Sequence, residues 1–409
     1  MSKTGTRLAA VAVVALLTSI WLGCGDTFRP VATPTFPPGG DPQGLRLAIA
    51  INDAGVAVGS TTHIDVSGDT VVASHTVGKG PVHAGTIPGA SRIFVANAGD
   101  NTVSTYSTLV AGSAVTTISL PAGSAPIFAH STQAARMYVA NSGNATVGVI
   151  DATTNVLTDS IPVGNNPVAL AELPGGNKVY CANQGSNSVS VISTADKLVL
   201  TTIPVGNMPS FAVANDTGAF VFVANSGSNT VSVIDTATDT VTTTLTVGAA
   251  PNFLFFDKSL KRVYVTNSGD GTVSIIRTDV SPPVILGTPI TVGTTPLSVT
   301  ALADGSRAYV ADSGETTGCL GEAGQGRVSV INTNSNTVTK CITVGSNPVS
   351  IASSSDSTKV YVANESSNNI SVIRTSDDTV VITITAPKVD PNCTVACPLQ
   401  SPRFVLTAP

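Results

Sequence analysis

Six cysteines, four histidines and a thin scatter of carboxylates are the side chains of this 409-residue chain that could carry chemistry. Cys393 and Cys397 flank a short segment near the end. Cys319 sits in an irregular stretch from Gly314 to Gly326, and Cys341 follows in a Thr-rich run. No His accompanies either group, so two disulfides, Cys319–Cys341 and Cys393–Cys397, formed outside the cytoplasm, are the natural reading, with a metal site as the sharper alternative. Cys181 replaces a Val of its repeat and reads as a small buried hydrophobe. His63, His75, His83 and His130 lie close enough in sequence to raise a metal or acid–base site. Whether any of them meet depends on the elements that carry them. Neither a Gly-x-Ser-x-Gly elbow nor a Walker-type loop is present.

Those elements are strands. Val221 to Val247 reads VFVANSGSNTVSVIDTATDTVTTTLTV, three β-branched runs separated by Asn, Ser, Gly and Asp. Alternation bounded by such residues marks consecutive antiparallel strands joined by tight turns. The unit recurs. Its turn Asn stands at Asn97, Asn141, Asn183, Asn225, Asn267, Asp312 and Asn364, at spacings of 44, 42, 42, 42, 45 and 52. A Gly-x-x-Pro turn follows each Thr-rich run, as in Gly164/Pro167, Gly206/Pro209 and Gly248/Pro251, and each Pro opens another apolar run. Four short strands in about 42 residues make one propeller blade.

The Tyr-Val-Ala-Asn strands, Ser-Val-Ile-Asp strands and Val-Gly-x-x-Pro turns resemble the YVTN family of bacterial β-propeller repeats, over residues 45 to 409. The resemblance implies an all-β propeller of four-stranded antiparallel blades, and it implies no particular activity. Seven Asn-bearing strands suggest seven blades, but Leu47 to Asn52 begins an eighth set that lacks only its leading Pro-strand. Pro402 to Leu406 is a spare Pro-strand at the other end. Eight blades with a ring closed by the C-terminal strand are therefore expected, and seven is the alternative if Asn52 belongs to a cap.

In such a blade the Pro-strand is innermost and the Thr-rich strand outermost. His63 then falls in a third strand and His75 in an outermost one. Only His83 and His130 lie on innermost strands of neighbouring blades, which makes them the channel candidates. The inner strands carry no acidic residue in their middles; Glu172, Asp216, Asp257 and Asp304 come at the following turns, where solvation accounts for them. The strand-end Asn residues read as turn formers. Loops converging at one mouth would offer Lys79, Asn165, Asn166, Asn207, Met208, Ser346 and Asn347, with Glu315 and Glu322 from the insertion, as a ligand face of adjustable amides and hydroxyls.

At the start, Lys3 and Arg7 precede an apolar run, Leu8 to Leu22, that is short for a membrane span. Residues 1–23 are expected to be a signal peptide. Trp21-Leu22-Gly23-Cys24 resembles the lipobox of bacterial lipoproteins, with Cys24 as the lipidated residue and residues 24–44, rich in Pro and Gly, as a tether. Removing the leader leaves 18 basic against 25 acidic residues, a formal charge near −7, without any basic run. That composition speaks against nucleic acid as a partner. The expectation is a monomeric, lipid-anchored, extracytoplasmic scaffold of the cell envelope, at the outer membrane or cell surface, without metal or cofactor, that binds glycans or envelope proteins. A metal-dependent lactonase-like hydrolase and a purely structural surface component are the alternatives.

Overall fold

Strands that are apolar on both faces must be covered on both faces, and the middle strands of each repeat have that pattern. Val221 to Asn225 is buried at every position, whereas the outer strand Thr240–Thr246 alternates between exposed threonines and half-buried Val and Leu. Face-to-face packing of repeated sheets satisfies both. The computed structural model describes residues 46–408 apart from 54, 56–57, 90, 111, 315–324 and 386–400. It is a propeller of eight antiparallel blades of four strands each. In blade 1 the order from the outside is Thr70–Lys79, Val58–Asp65, Leu47–Asn52 and then Pro402–Ala408. The last strand runs antiparallel to Leu47–Asn52 along its length, so the C-terminus supplies the inner strand of the N-terminal blade. Both the count of eight and this closure are as expected.

Blades 2 to 8 follow in chain order, each starting at its Pro-strand: Pro81–Thr86, Pro126–His130, Pro167–Glu172, Pro209–Ala214, Pro251–Asp257, Pro296–Ala301 and Pro348–Ser353. These inner strands pack on one another around the channel. The outer strand of blade 6 is broken into Val284–Ile285 and Ile290–Thr291.

The strand-end Asn residues have a different task from the turn capping read in the sequence. Asn225 is fully buried, and its amide nitrogen donates sideways to Thr230 Oγ1 (3.1 Å) and Ser232 Oγ (2.9 Å) of the next strand. Asn52, Asn97, Asn183, Asn267 and Asn364 repeat this double bond, and Asn141 makes one of the two because Gly148 replaces the second Ser. The Gly of the Gly-x-x-Pro turn lies directly against this Asn. A Cβ on Gly206 would sit 2.7 Å from Asn225 Cγ, and the same clash arises at Gly164, Gly248 and Gly345. The two sequence markers therefore recur together because one is the floor on which the other packs. Gly206→Ala is expected to destabilise the fold by about 1–3 kcal/mol through overpacking. Gly175→Ala, whose Cβ would meet only Asn177 Oδ1 at 3.8 Å, should be nearly neutral. Equal melting temperatures for the two variants would refute this account.

At the opposite end of the blades, basic residues fasten neighbours together. Lys178 reaches Asp239 (2.7 Å) and Thr236 O (3.0 Å) of the next blade, and Tyr180 donates its phenol to the same Asp239 (2.5 Å). Arg307 and Tyr309 do the same with Asp378. Lys359 and Tyr361 meet Asp69 across the seam between blades 8 and 1. The Tyr of each Tyr-Val-Ala-Asn strand is thus a blade-to-blade fastener where the neighbouring turn offers an Asp.

Candidate functional site

The inner strands bulge between the Pro and its second successor, so that this successor turns toward the neighbouring blade. Phe404, His83, Phe128, Phe211 and Phe253 occupy the position in blades 1, 2, 3, 5 and 6. His83 stacks on Phe128 at 4.0 Å and tilts against Phe404 at 4.4 Å, and Phe211 meets Phe253 at 4.5 Å. Blade 4 has Ala169 here, small enough for Phe128 and Phe211 to meet edge-on across it at 5.6 Å. The result is an aromatic arc spanning blades 1 to 6. Blades 7 and 8 have Ser298 and Ser350 instead, which accept the backbone N–H groups of Ile351 (3.4 Å) and Val405 (3.2 Å). His83 Nδ1 plays the same part toward Ala129 N at 3.3 Å.

His83 and His130 are on the inner strands of blades 2 and 3. His83 is part of the aromatic stack, and the ring of His130 lies 6.4 Å from Phe128. Burial lowers His83 to about 3, with His130 adding to the effect, and burial lowers His130 to about 4, so both are neutral near pH 7. His63 and His75 lie in the third and outer strands of blade 1, where they surround Tyr106 of blade 2. The Tyr106 phenol meets His63 Nε2 at 2.8 Å and Thr61 Oγ1 at 2.5 Å, and His75 stacks on the ring at 4.0 Å. Burial first, and the neighbouring His75 second, lower His63 to about 3. Among the described residues no group of three or more His, Cys, Asp or Glu is placed to hold a metal.

The expected ligand face is largely occupied by its own turns. Asn166, Met208 and Asn347 have positive φ just before the Pro, and their carbonyls accept the N–H groups of Gln184, Ser226 and Glu365. Asn166 and Asn347 also bond Gln184 (2.9 Å) and Glu365 (2.8 Å) through their amides. Lys79, Asn165, Asn207 and Ser346 have their backbone N–H groups tied to Asp100, Ser186, Ser228 and Ser367. Of the expected face residues that the structure describes, Lys79, Asn165, Asn207 and Met208 are exposed, and Asn166, Ser346 and Asn347 are half-buried. Glu315 and Glu322 lie outside the described residues, as do Cys24, Cys319, Cys393 and Cys397. Cys341 is disulfide-bonded, and Cys181, the other described cysteine, is free and buried.

Two of the four carboxylates expected to be solvated are not. Glu172 is 2 % exposed and Asp257 4 %. Glu172 accepts Thr132 N at 2.5 Å and lies 4.0 Å from Arg136 Nε, and burial raises its pKa. Strand-end position suggested solvent; the adjoining blade covers it. Asp216 and Asp304 are exposed as expected.

The sequence matches no protein-family model and no curated protein. Solved structures do resemble it. Dihydro-heme d1 dehydrogenase NirN in complex with DHE aligns at a TM-score of 0.67 and 14% identity, over 87% of this chain and 76% of its own. Apo AztD from Citrobacter koseri aligns at 0.63 and 14% over 88% and 98%, and a putative 6-phosphogluconolactonase from Bacteroides fragilis at 0.58 and 12% over 90% and 100%. At these identities the likeness is one of fold, the β-propeller.

Proposed function

We propose that the protein is an extracytoplasmic binding scaffold of the YVTN-repeat kind, tethered through a lipid on Cys24, with glycans or envelope proteins as its partners. The observation that carries this reading is the channel lining. The charged residues of the described inner strands stand at their ends: Glu172 and Asp257 at one end, and Arg403, ion-paired with Asp53 (3.1 Å) and Glu365 (3.3 Å), at the other. Between them lie aromatic rings and aliphatic groups together with uncharged polar side chains, His83, His130, Ser210 and Asn252 among them, the composition of a site that binds an uncharged face. A lactonase-type hydrolase would call for ligands grouped in that middle. A Cys319–Cys341 disulfide, pinning the insertion to blade 7, belongs to the same extracytoplasmic reading.

The test is thermal unfolding of the full chain with cell-wall sugars, with divalent metals and with lactones. A ligand of the folded state at about 100 times its Kd adds about 2.7 kcal/mol. A sugar-dependent rise in Tm without metal is the expected result. A metal-dependent rise reversed by chelator would replace the scaffold reading with the hydrolase.

A further inference from the structure

Neighbouring blades meet through four columns of the repeat. Between blades 4 and 5 these are Val189, Val191 and Ile203 of the one and Ile234 of the other, all in one core. Between blades 8 and 1 they are Ile370, Val372 and Ile384 against Ile64. Register puts Thr61, His63, His75 and Tyr106 in the same columns between blades 1 and 2. All four are buried. One joint of the ring has thus exchanged its apolar contact for a polar cluster. The Tyr106 phenol is shared by His63 Nε2 (2.8 Å) and Thr61 Oγ1 (2.5 Å), and the two imidazole rings lie 5.0 Å apart.

The charged groups on the elements around this cluster are turned elsewhere. Asp65 bonds Ser67, and Asp69 pairs with Lys359 of blade 8. Asp100 accepts Lys79 N and Thr102 Oγ1, and the Lys79 side chain is exposed at the Gly-x-x-Pro end. Arg92 bonds Asn155 of blade 3, and Arg403 pairs with Asp53 and Glu365. His83 faces Ala129 N at the inner edge of the adjoining joint. A proton on His63 would therefore meet no carboxylate among the described residues, and its titratable neighbours are His75 and Tyr106. The hydrogen bonds can adapt, because a phenol that donates to neutral Nε2 can accept from a protonated one and donate to Thr61 instead. The buried charge has no such remedy.

We infer that the joint between blades 1 and 2 is an acid-operated seam, which opens as pH falls while the six joints without histidine stay closed. In the closed joint, burial first and His75 second hold His63 at about 3, whereas an exposed His titrates near about 6.5. Opening takes up a proton between these values. The joint is thus held fully above about pH 6.5 and weakens as pH falls below it, about tenfold per unit for one histidine.

The experiment is hydrogen exchange by mass spectrometry on the full chain in detergent at about pH 7.5 and about pH 5, corrected for the intrinsic rate. Val58–Asp65, Thr70–Lys79 and Thr102–Ser107 should lose protection about thirtyfold, and Thr230–Asp235 and Thr240–Thr246 of blade 5 should keep theirs. His63→Val with His75→Ile and Tyr106→Ile installs the residues of the other joints and should abolish the loss. If that variant does not fold, His63→Gln, which gives Tyr106 a partner that does not titrate, should bring the loss below about threefold. A loss that persists undiminished in the variant that folds would assign it to other groups and overturn the inference. Equal loss in every blade, or none between the two pH values, would overturn it as well.

Discussion

Ending the chain before Pro402 is expected to open the ring and to cost on the order of 5 kcal/mol of stability. Burial of Val405 alone is worth about 2 kcal/mol. To that is added a ladder with Leu47–Asn52 and two bonds to blade 8, Val405 N to Ser350 Oγ (3.2 Å) and Thr407 Oγ1 to Ser353 O (2.7 Å). Each such hydrogen bond contributes about 1 kcal/mol net. Arg403 would also leave Asp53 and Glu365, and Phe404 would leave the face of His83. Against a typical total of about 5–15 kcal/mol, that loss is decisive. It also leaves the edge of Leu47–Asn52 unpaired, a template for association with other chains. The measurement is Tm together with size-exclusion chromatography: a lower Tm and larger species are expected. Val405→Asp, which places a charge in the same covered position, should act in the same direction within a full-length chain. A truncated chain that stayed monodisperse with an unchanged Tm would show that the strand is dispensable and that blade 1 closes by another route.

That closure was legible because it depends on counting. The markers Asn, Gly and Pro are imposed within one repeat, and a set lacking its first strand at one end pairs with a spare strand at the other. The function of each marker was less legible, since it depends on neighbours distant in sequence. Asn225 looked like a turn residue because Ser226 and Gly227 follow it, yet its amide reaches a hydroxyl seven positions on. The repeat puts His83 and His130 on inner strands, but the stack of His83 on Phe128 joins residues in different blades. That contact could have been anticipated by aligning the second residue after each Pro, a column reading His, Phe, Ala, Phe, Phe, Ser, Ser, Phe around the ring. The burial of Asp257 and Glu172 is hidden in the sequence for a related reason. Strand ends usually meet water, and nothing local announces that a neighbouring blade will cover them.

The column of buried Asn has one exception, and the exception carries the second large effect. Asp312 occupies it in blade 7, fully buried, with Gly293 packed on it as the other glycines pack on their Asn. Ser329 Oγ donates to Oδ2 at 2.8 Å, and Oδ1 has no hydrogen-bond partner among the described residues. Arg327, opposite in register, spends a guanidinium N–H on Thr343 Oγ1 at 3.2 Å. Burial pushes Asp312 up to about 7, with the Ser329 bond opposing. An unfolded Asp titrates near about 3.9, so between these values the folded chain holds the extra proton. Stability from this residue is therefore complete below about pH 4 and falls as pH rises, until it is lost just above about pH 7. The ceiling on that loss is about 4 kcal/mol. Asp312→Asn removes the titration, so it should match the parent near about pH 4 and exceed it by up to about 4 kcal/mol near about pH 8. Urea unfolding of both proteins at the two pH values reads the difference directly. Parallel stability curves would mean that the carboxylate is ionised and satisfied in the fold. The substitution asks for no new packing, because Asn already fits the same corner in the other seven blades.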